Sequence, residues 1–190
     1  MSAIKLIVGL GNPGEKYANT RHNAGVWFTT LLAEKYSVNL KSETKFSGYT
    51  ARINTPTMNC FLLRPTTYMN ISGLSVHQIC TFYKIKPNEI LICHDEIDLP
   101  CGSIRLKFSG GHGGHNGLRN IQSQIGKDFH RLRIGVDRPN HQSEVVNYVL
   151  NSPQKDQSIE IEHALLKALD FSEDIILGKF PQVMNKLHRE

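Results

Sequence analysis

The sequence predicts an α/β fold: a single globular domain with a central mixed, twisted sheet flanked by helices and closed by a long C-terminal helix. Three observations predict it. The 190 residues are 39% hydrophobic, which suits one domain over the whole of 1–190 and calls for no second core. Short apolar runs bounded by Gly, Pro, Asn and Asp alternate with stretches whose apolar positions recur at helical spacing. A final helical pattern then runs on from Ser152 and Pro153, with no linker or repeat before it.

Taken in order, the apolar runs near 4–10, 49–54, 59–64, 90–94, 102–108 and 131–137 read as strands. Helical patterns lie between them at about 25–36, 70–84, 114–126 and 143–150. In the second of these, Asn70 and Ser72 are the expected caps, and Ile71, Leu74, Ile79, Phe82 and Tyr83 approximate the apolar stripe. In the C-terminal helix Ile161, Ala164, Leu165, Ala168 and Leu169 share a face, and Gly178 marks the end. No apolar run approaches the roughly 18 residues that would span a bilayer. The opening MSAIKLIVGL reads as a strand rather than a leader, so the expected location is the cytoplasm.

Behind the first strand stands GLGNPG, which has the glycine spacing of a dinucleotide-binding turn. That reading requires a helix to open at about residue 13. Instead EKYANTRHNAG follows, polar throughout, and helical periodicity starts only near Gly25. Cys60, Cys80, Cys93 and Cys101 form no C-x-x-C pair, so free thiols are expected in place of a zinc site or redox dithiol. The net charge is +5, and the segment 101–140 carries all of it: Arg105, Lys107, Arg119, Lys127, Arg131, Arg133 and Arg138 stand against Asp128 and Asp137. A basic face of this kind attracts phosphate backbones, though a merely solvated surface would look the same.

Four loops concentrate chemistry: GNPGEKYANTRHNAG with Asn12, Tyr17, His22 and Asn23; RPTTYMNISG with Tyr68, Met69 and Asn70; HDEIDLPCG with Asp95, Glu96 and Asp98; and GGHGGHNGLRN with His112, His115 and Asn116. If they converge, an imidazole, a carboxylate and several neutral amides suit hydrolysis by activated water, in which the His takes a proton and the carboxylate holds its tautomer. No G-x-S-x-G elbow offers a serine nucleophile, and no H-E-x-x-H supports a metal at His94, Asp95, Glu96, Asp98, His112 and His115. The individual residues also have plain structural readings, as turn formers, packing side chains and loop charges. A non-catalytic RNA-binding module that uses the basic segment is the other alternative at this point.

Taken in series, GLGNPGEKYANTRHNAG, PTTYMNISG, HDEIDLPCGSIRLK, GGHGGHNGLRN and FHRLRIGV resemble the bacterial peptidyl-tRNA hydrolase family in order and spacing, from about Ile4 to the C-terminal helix. The resemblance implies an esterase that frees the peptide from the tRNA 3′ ribose without metal or other cofactor. It further implies a monomer that meets the acceptor stem and 3′ end of peptidyl-tRNA, with no membrane and no obligate protein partner. By the same resemblance His22 is the base that activates water and Asp95 orients it. Asn12, Asn70 and Asn116 bind the peptide and the 3′ end or help place the water, and Tyr17, Tyr68, Met69 and His115 line the channel. Arg133 of HRLR matches an arginine that grips a tRNA phosphate, with Arg105 and Lys107 meeting backbone elsewhere. At the position of that arginine's lysine partner this chain has Gln142, so Arg138 or His141 would have to complete the clamp. The polar segment 138–150 is a candidate cover over the channel.

Overall fold

The computed structural model describes residues 2–188. Seven strands form one sheet: β1 (Leu6–Gly9), β2 (Lys41–Glu43), β3 (Gly48–Asn54), β4 (Asn59–Pro65), β5 (Ile90–Glu96), β6 (Ile104–Phe108) and β7 (His130–Gly135), in the order β2-β3-β4-β1-β5-β7-β6. The inner strands β4, β1, β5 and β7 are mutually parallel, and β2, β3 and β6 add antiparallel margins. Because β1, β4 and β5 run the same way, the loops that leave their C-terminal ends gather along one edge of the sheet. Three of the chemistry-bearing loops are those exits.

The helices are α1 (Glu15–Ala18), α2 (Ala24–Lys35), α3 (Ser72–Tyr83), α4 (Asn116–Ile125), α5 (Val145–Val149), α6 (Lys155–Asp170), α7 (Ser172–Ile176) and α8 (Phe180–Leu187). Alternate strand side chains divide the core in two. Ile7, Leu62, Leu91, Leu132 and Ile134 pack against α2, α6, α7 and α8, while Leu6, Val8, Leu63, Ile90 and Ile92 pack against α3 and α4. Buried on both faces, β5 is apolar almost to its end, which is the mark of a central parallel strand.

Glycines decide how closely α2 sits on this sheet. A Cβ at Gly25 would lie 2.0 Å from the Cys93 carbonyl oxygen, and one at Gly9 would lie 2.6 Å from the Gly25 carbonyl oxygen. The two glycines therefore let the start of α2 rest directly on β1 and β5. Gly14, with φ of +93°, supplies the left-handed step in the turn that follows. The glycines of GLGNPG thus serve backbone contact and a turn, and helix α2 begins at Ala24, close to the position that periodicity predicts.

Several expectations need correction. The loop between Gly11 and Ala24 contains α1 and a 3-10 turn at Arg21–Asn23, too short to show periodicity. The edge strand β2 was not foreseen, because KSE is polar on both faces. On α3, Ser72, Gly73, Ser75, Val76, Ile79 and Cys80 face inward, and Phe82 is 59% exposed. Neither Asn70 nor Ser72 caps that helix by a side chain; the Ser72 hydroxyl donates back to the Met69 carbonyl at 2.7 Å. The C-terminal helix is three helices. The first opens on a Gln154/Gln157 capping box instead of Ser152, and Gly178 ends α7. The breaks let Ile161, Leu165, Ile175, Phe180 and Val183 all reach the one sheet face. All four cysteines are free thiols.

Candidate active site

A cleft of about 580 Å³ opens over the C-terminal edge of β1 and β5. Its lining includes Asn12, His22, Tyr68, Met69, Asn70, Asp95, His115 and Asn116, so most of the expected site residues converge. Tyr17 is outside the lining; its ring meets that of Tyr68 edge-on, with centroids 6.5 Å apart.

His22 sits in the 3-10 turn just ahead of α2, and the close seating of that helix brings it to the end of β5. Its Nδ1 lies 2.9 Å from both carboxylate oxygens of Asp95. Burial alone would push the Asp95 carboxyl up, but the His22 and His115 imidazoles beside it hold it well below the usual carboxylate range. Asp95 is therefore ionised, so His22 Nδ1 carries the proton that bridges them and Nε2 keeps the lone pair. For His22 burial works against the charged form, yet the adjacent Asp95 carboxylate outweighs it and raises the imidazole pKa. A base of this kind is poised to take a proton near neutral pH.

His115 Nε2 approaches the same carboxylate, 2.9 Å from Oδ1. His22, Asp95 and His115 are the group of possible metal donors found among the described residues. They are arranged as a hydrogen-bonded chain with the carboxylate in the middle. His94, buried one residue before Asp95, donates from Nδ1 to the Asp95 carbonyl at 2.7 Å, and burial with the neighbouring His115 holds its pKa well below the ordinary value.

Asn12 is fixed from two sides. The Asn23 side chain accepts from the Asn12 main-chain N–H at 2.9 Å and donates to its carbonyl at 3.0 Å. The Asn12 side-chain oxygen accepts the Met69 N–H at 2.8 Å, which leaves the Nδ2 amino group as the donor presented to the cleft. Asn70 and Asn116, both exposed, also line the cleft.

Two contributors, Asn23 and Arg21, were not assigned a role from sequence. Asn23 acts only through Asn12, and nothing in TRHN announces that pairing. Val145, Val146 and Val149 of α5 supply an apolar wall. Arg21, 5% exposed, ties this wall to the His22 turn. Its guanidinium donates to the carbonyls of Tyr148, Asn151 and Ser152 at 3.0–3.2 Å and to Gln157 Oε1 at 2.9 Å, and it lies 3.9 Å from the centre of the Tyr148 ring. Arg138 pairs with Asp98 and donates to Gln142 at 3.2 Å, joining the loops after β5 and β7 at the cleft margin.

The basic residues lie beside the cleft, on β6 and β7. Arg105 and Arg133 are register partners, as are Lys107 and Arg131. Arg133 donates from Nε to Glu96 at 3.0 Å. Arg131 is buried and donates to the carbonyls of Gly111 and Ser109, so it orders the glycine loop from beneath and does not face solvent.

The profile of the peptidyl-tRNA hydrolase family matches residues 6–190. A peptidyl-tRNA hydrolase of Coxiella burnetii is 51% identical over 97% of each chain, and one of Neisseria meningitidis is 48% identical over 98% of each. The crystal structure of peptidyl-tRNA hydrolase from Acinetobacter baumannii superposes with a TM-score of 0.96 at 49% identity, covering 98% of this chain and 95% of that one.

Proposed function

Because the chain belongs to the peptidyl-tRNA hydrolase family, we propose that it hydrolyses peptidyl-tRNA through water activated by the His22–Asp95 pair. Water placed between His22 Nε2 and the ester carbonyl gives its proton to Nε2 as its oxygen attacks the carbon. The imidazolium that forms is stabilised by Asp95 through the Nδ1 proton. Collapse of the tetrahedral intermediate breaks the bond to the ribose oxygen, which takes the proton back from Nε2. A free peptide acid and a tRNA hydroxyl result. The Asn12 amino group is a preorganised donor in the same cleft, its orientation set before substrate arrives.

Asn70, Asn116, Tyr68 and Met69 contact the peptide and the 3′ end, while the α5 valines cover peptide side chains. Arg105, Lys107 and Arg133 take the phosphates of the acceptor stem. The protein works as a monomer in the cytoplasm and needs no cofactor. The observation that carries this reading is the ionised Asp95 holding His22 Nδ1–H at 2.9 Å in the cleft. It is tested by release of N-acetyl-amino acid from N-acetylaminoacyl-tRNA in EDTA. Wild type turns over and His22→Ala loses about 10³-fold or more. Full activity in the variant would remove His22 as the base, and tRNA binding without turnover by wild type would favour a binding module.

A further inference from the structure

His115 occupies two positions at once: it is the N-cap of α4 and a neighbour of the catalytic carboxylate. Its main chain is extended, with φ −70° and ψ 112°, and its Nδ1 accepts the Leu118 N–H at 3.3 Å, as an N-cap side chain does. The helix behind it is held in place. Asn120 accepts from the Gly73 N–H of α3 at 2.7 Å, and a Cβ on Gly117 would come within 2.5 Å of Met69 Sδ. The ring is further bounded by His22, with centroids 4.8 Å apart, and by His94 at 5.2 Å. A flipped ring would put carbon where the cap and the carboxylate both need nitrogen.

A neutral imidazole has one N–H and one lone pair. The cap uses the lone pair on Nδ1, so the proton is on Nε2, the nitrogen that faces Asp95 Oδ1 at 2.9 Å. We propose that His115 is a positioning residue: the N-cap of α4 locks its Nε2–H tautomer, and that N–H takes part of the Asp95 carboxylate away from His22. Oδ1 is shared between the two imidazoles and Oδ2 serves His22 alone. The carboxylate is thereby held in line while its pull on the His22 proton is moderated, so that Nε2 of His22 returns the proton to the leaving oxygen. The other titratable or charged groups at the cleft are Tyr68 ahead of α3, His94 and Glu96 of β5, His112 in the glycine loop and Arg138 after β7; the α5 wall facing it is valine.

The kinetic consequence rests on the hydrolase reading above, whereas the tautomer does not, and the test separates them. Two-bond ¹H–¹⁵N correlation spectra of ¹⁵N-histidine-labelled protein are expected to show the His115 proton on Nε2. A proton on Nδ1 would overturn the lock. His115→Asn keeps a good cap for α4 but cannot reach Asp95. The acid limb of kcat/KM on N-acetylaminoacyl-tRNA is then expected to move up by about 0.5–1 pH unit, a loss of about 3- to 10-fold near pH 6 that closes above pH 8. A uniform loss at every pH would assign His115 to substrate contact or packing and overturn the positioning role. Absent wild-type turnover would sink the hydrolase reading and leave the spectra to decide the tautomer.

Discussion

The donor that Asn12 presents to the cleft sets what can occupy it. With its oxygen committed to the Met69 N–H, the Asn12 side chain offers only N–H. An acylated substrate nitrogen brings a neighbouring carbonyl that accepts this donor, whereas a free α-ammonium carries no lone pair and meets donor with donor. Asn12→Asp keeps the Met69 contact and reverses the polarity. It is expected to narrow the preference for N-acetylaminoacyl-tRNA over aminoacyl-tRNA by about 10-fold or more; equal loss on both substrates would assign Asn12 to water placement alone. At this scale the sequence disclosed residue types more readily than partnerships. His22 and Asp95 stand out because the chemistry needs an imidazole and a carboxylate. Asn23 does not, because its bonds to Asn12 are satisfied within the protein. Tyr17 meets Tyr68 edge-on across a bend that spacing alone cannot resolve.

The elements that hold these residues are built as much from small and polar groups as from apolar ones, and that determined which were legible. The inward face of α3 reads Ser, Gly, Ser, Val, Ile, Cys: Gly73 lets Asn120 of α4 approach, and the Ser75 hydroxyl donates to the Ser47 carbonyl at 2.8 Å. A hydrophobicity stripe passes over such a face and selects Leu74, Phe82 and Tyr83, which are exposed. The central strands β1 and β5 were readable because burial on both sides leaves nearly continuous apolar runs. The link between the His22 turn and α5 was not, since Arg21 and the segment from Tyr148 to Gln157 lie far apart in sequence. Arg21→Met would leave the Ser152 carbonyl without its donor and the Tyr148 and Asn151 carbonyls and Gln157 Oε1 with one main-chain donor each in place of two donors. Chemical denaturation is expected to show a loss of about 2–4 kcal/mol, with KM for peptidyl-tRNA rising more than kcat falls because the valine wall loosens while Asp95 still holds His22. A loss below about 0.5 kcal/mol would mean that α5 is anchored elsewhere.

Across the whole molecule, charge and chemistry occupy adjoining regions of the sheet. The cleft opens over β1 and β5, while the register pair Arg105 and Arg133 lies on β6 and β7 beside it, joined to the cleft through Glu96. The charge count of the segment 101–140 indicated a basic face, but only the fold distinguishes Arg131, buried under the glycine loop, from Arg133 on the flank. A phosphate contact releases counterions, so its loss lowers the salt dependence of binding in proportion to the charge removed. Arg133→Ala is expected to weaken tRNA binding and to flatten the slope of log Kd against log salt by about one. Hydrolysis of a minimal N-acyl-aminoacyl nucleoside should stay within about threefold, since no phosphate contact is at stake there. The substitution also strips Glu96 of its partner, and a bare carboxylate at the cleft would repel an incoming phosphate without any direct arginine contact. Pairing Arg133→Ala with Glu96→Gln separates the two effects. If the second change restores affinity while the slope stays flattened, Arg133 contacts phosphate and Glu96 only modulates the field. If it restores both, the role of Arg133 is to neutralise Glu96, and the stem phosphates are held elsewhere on the basic flank.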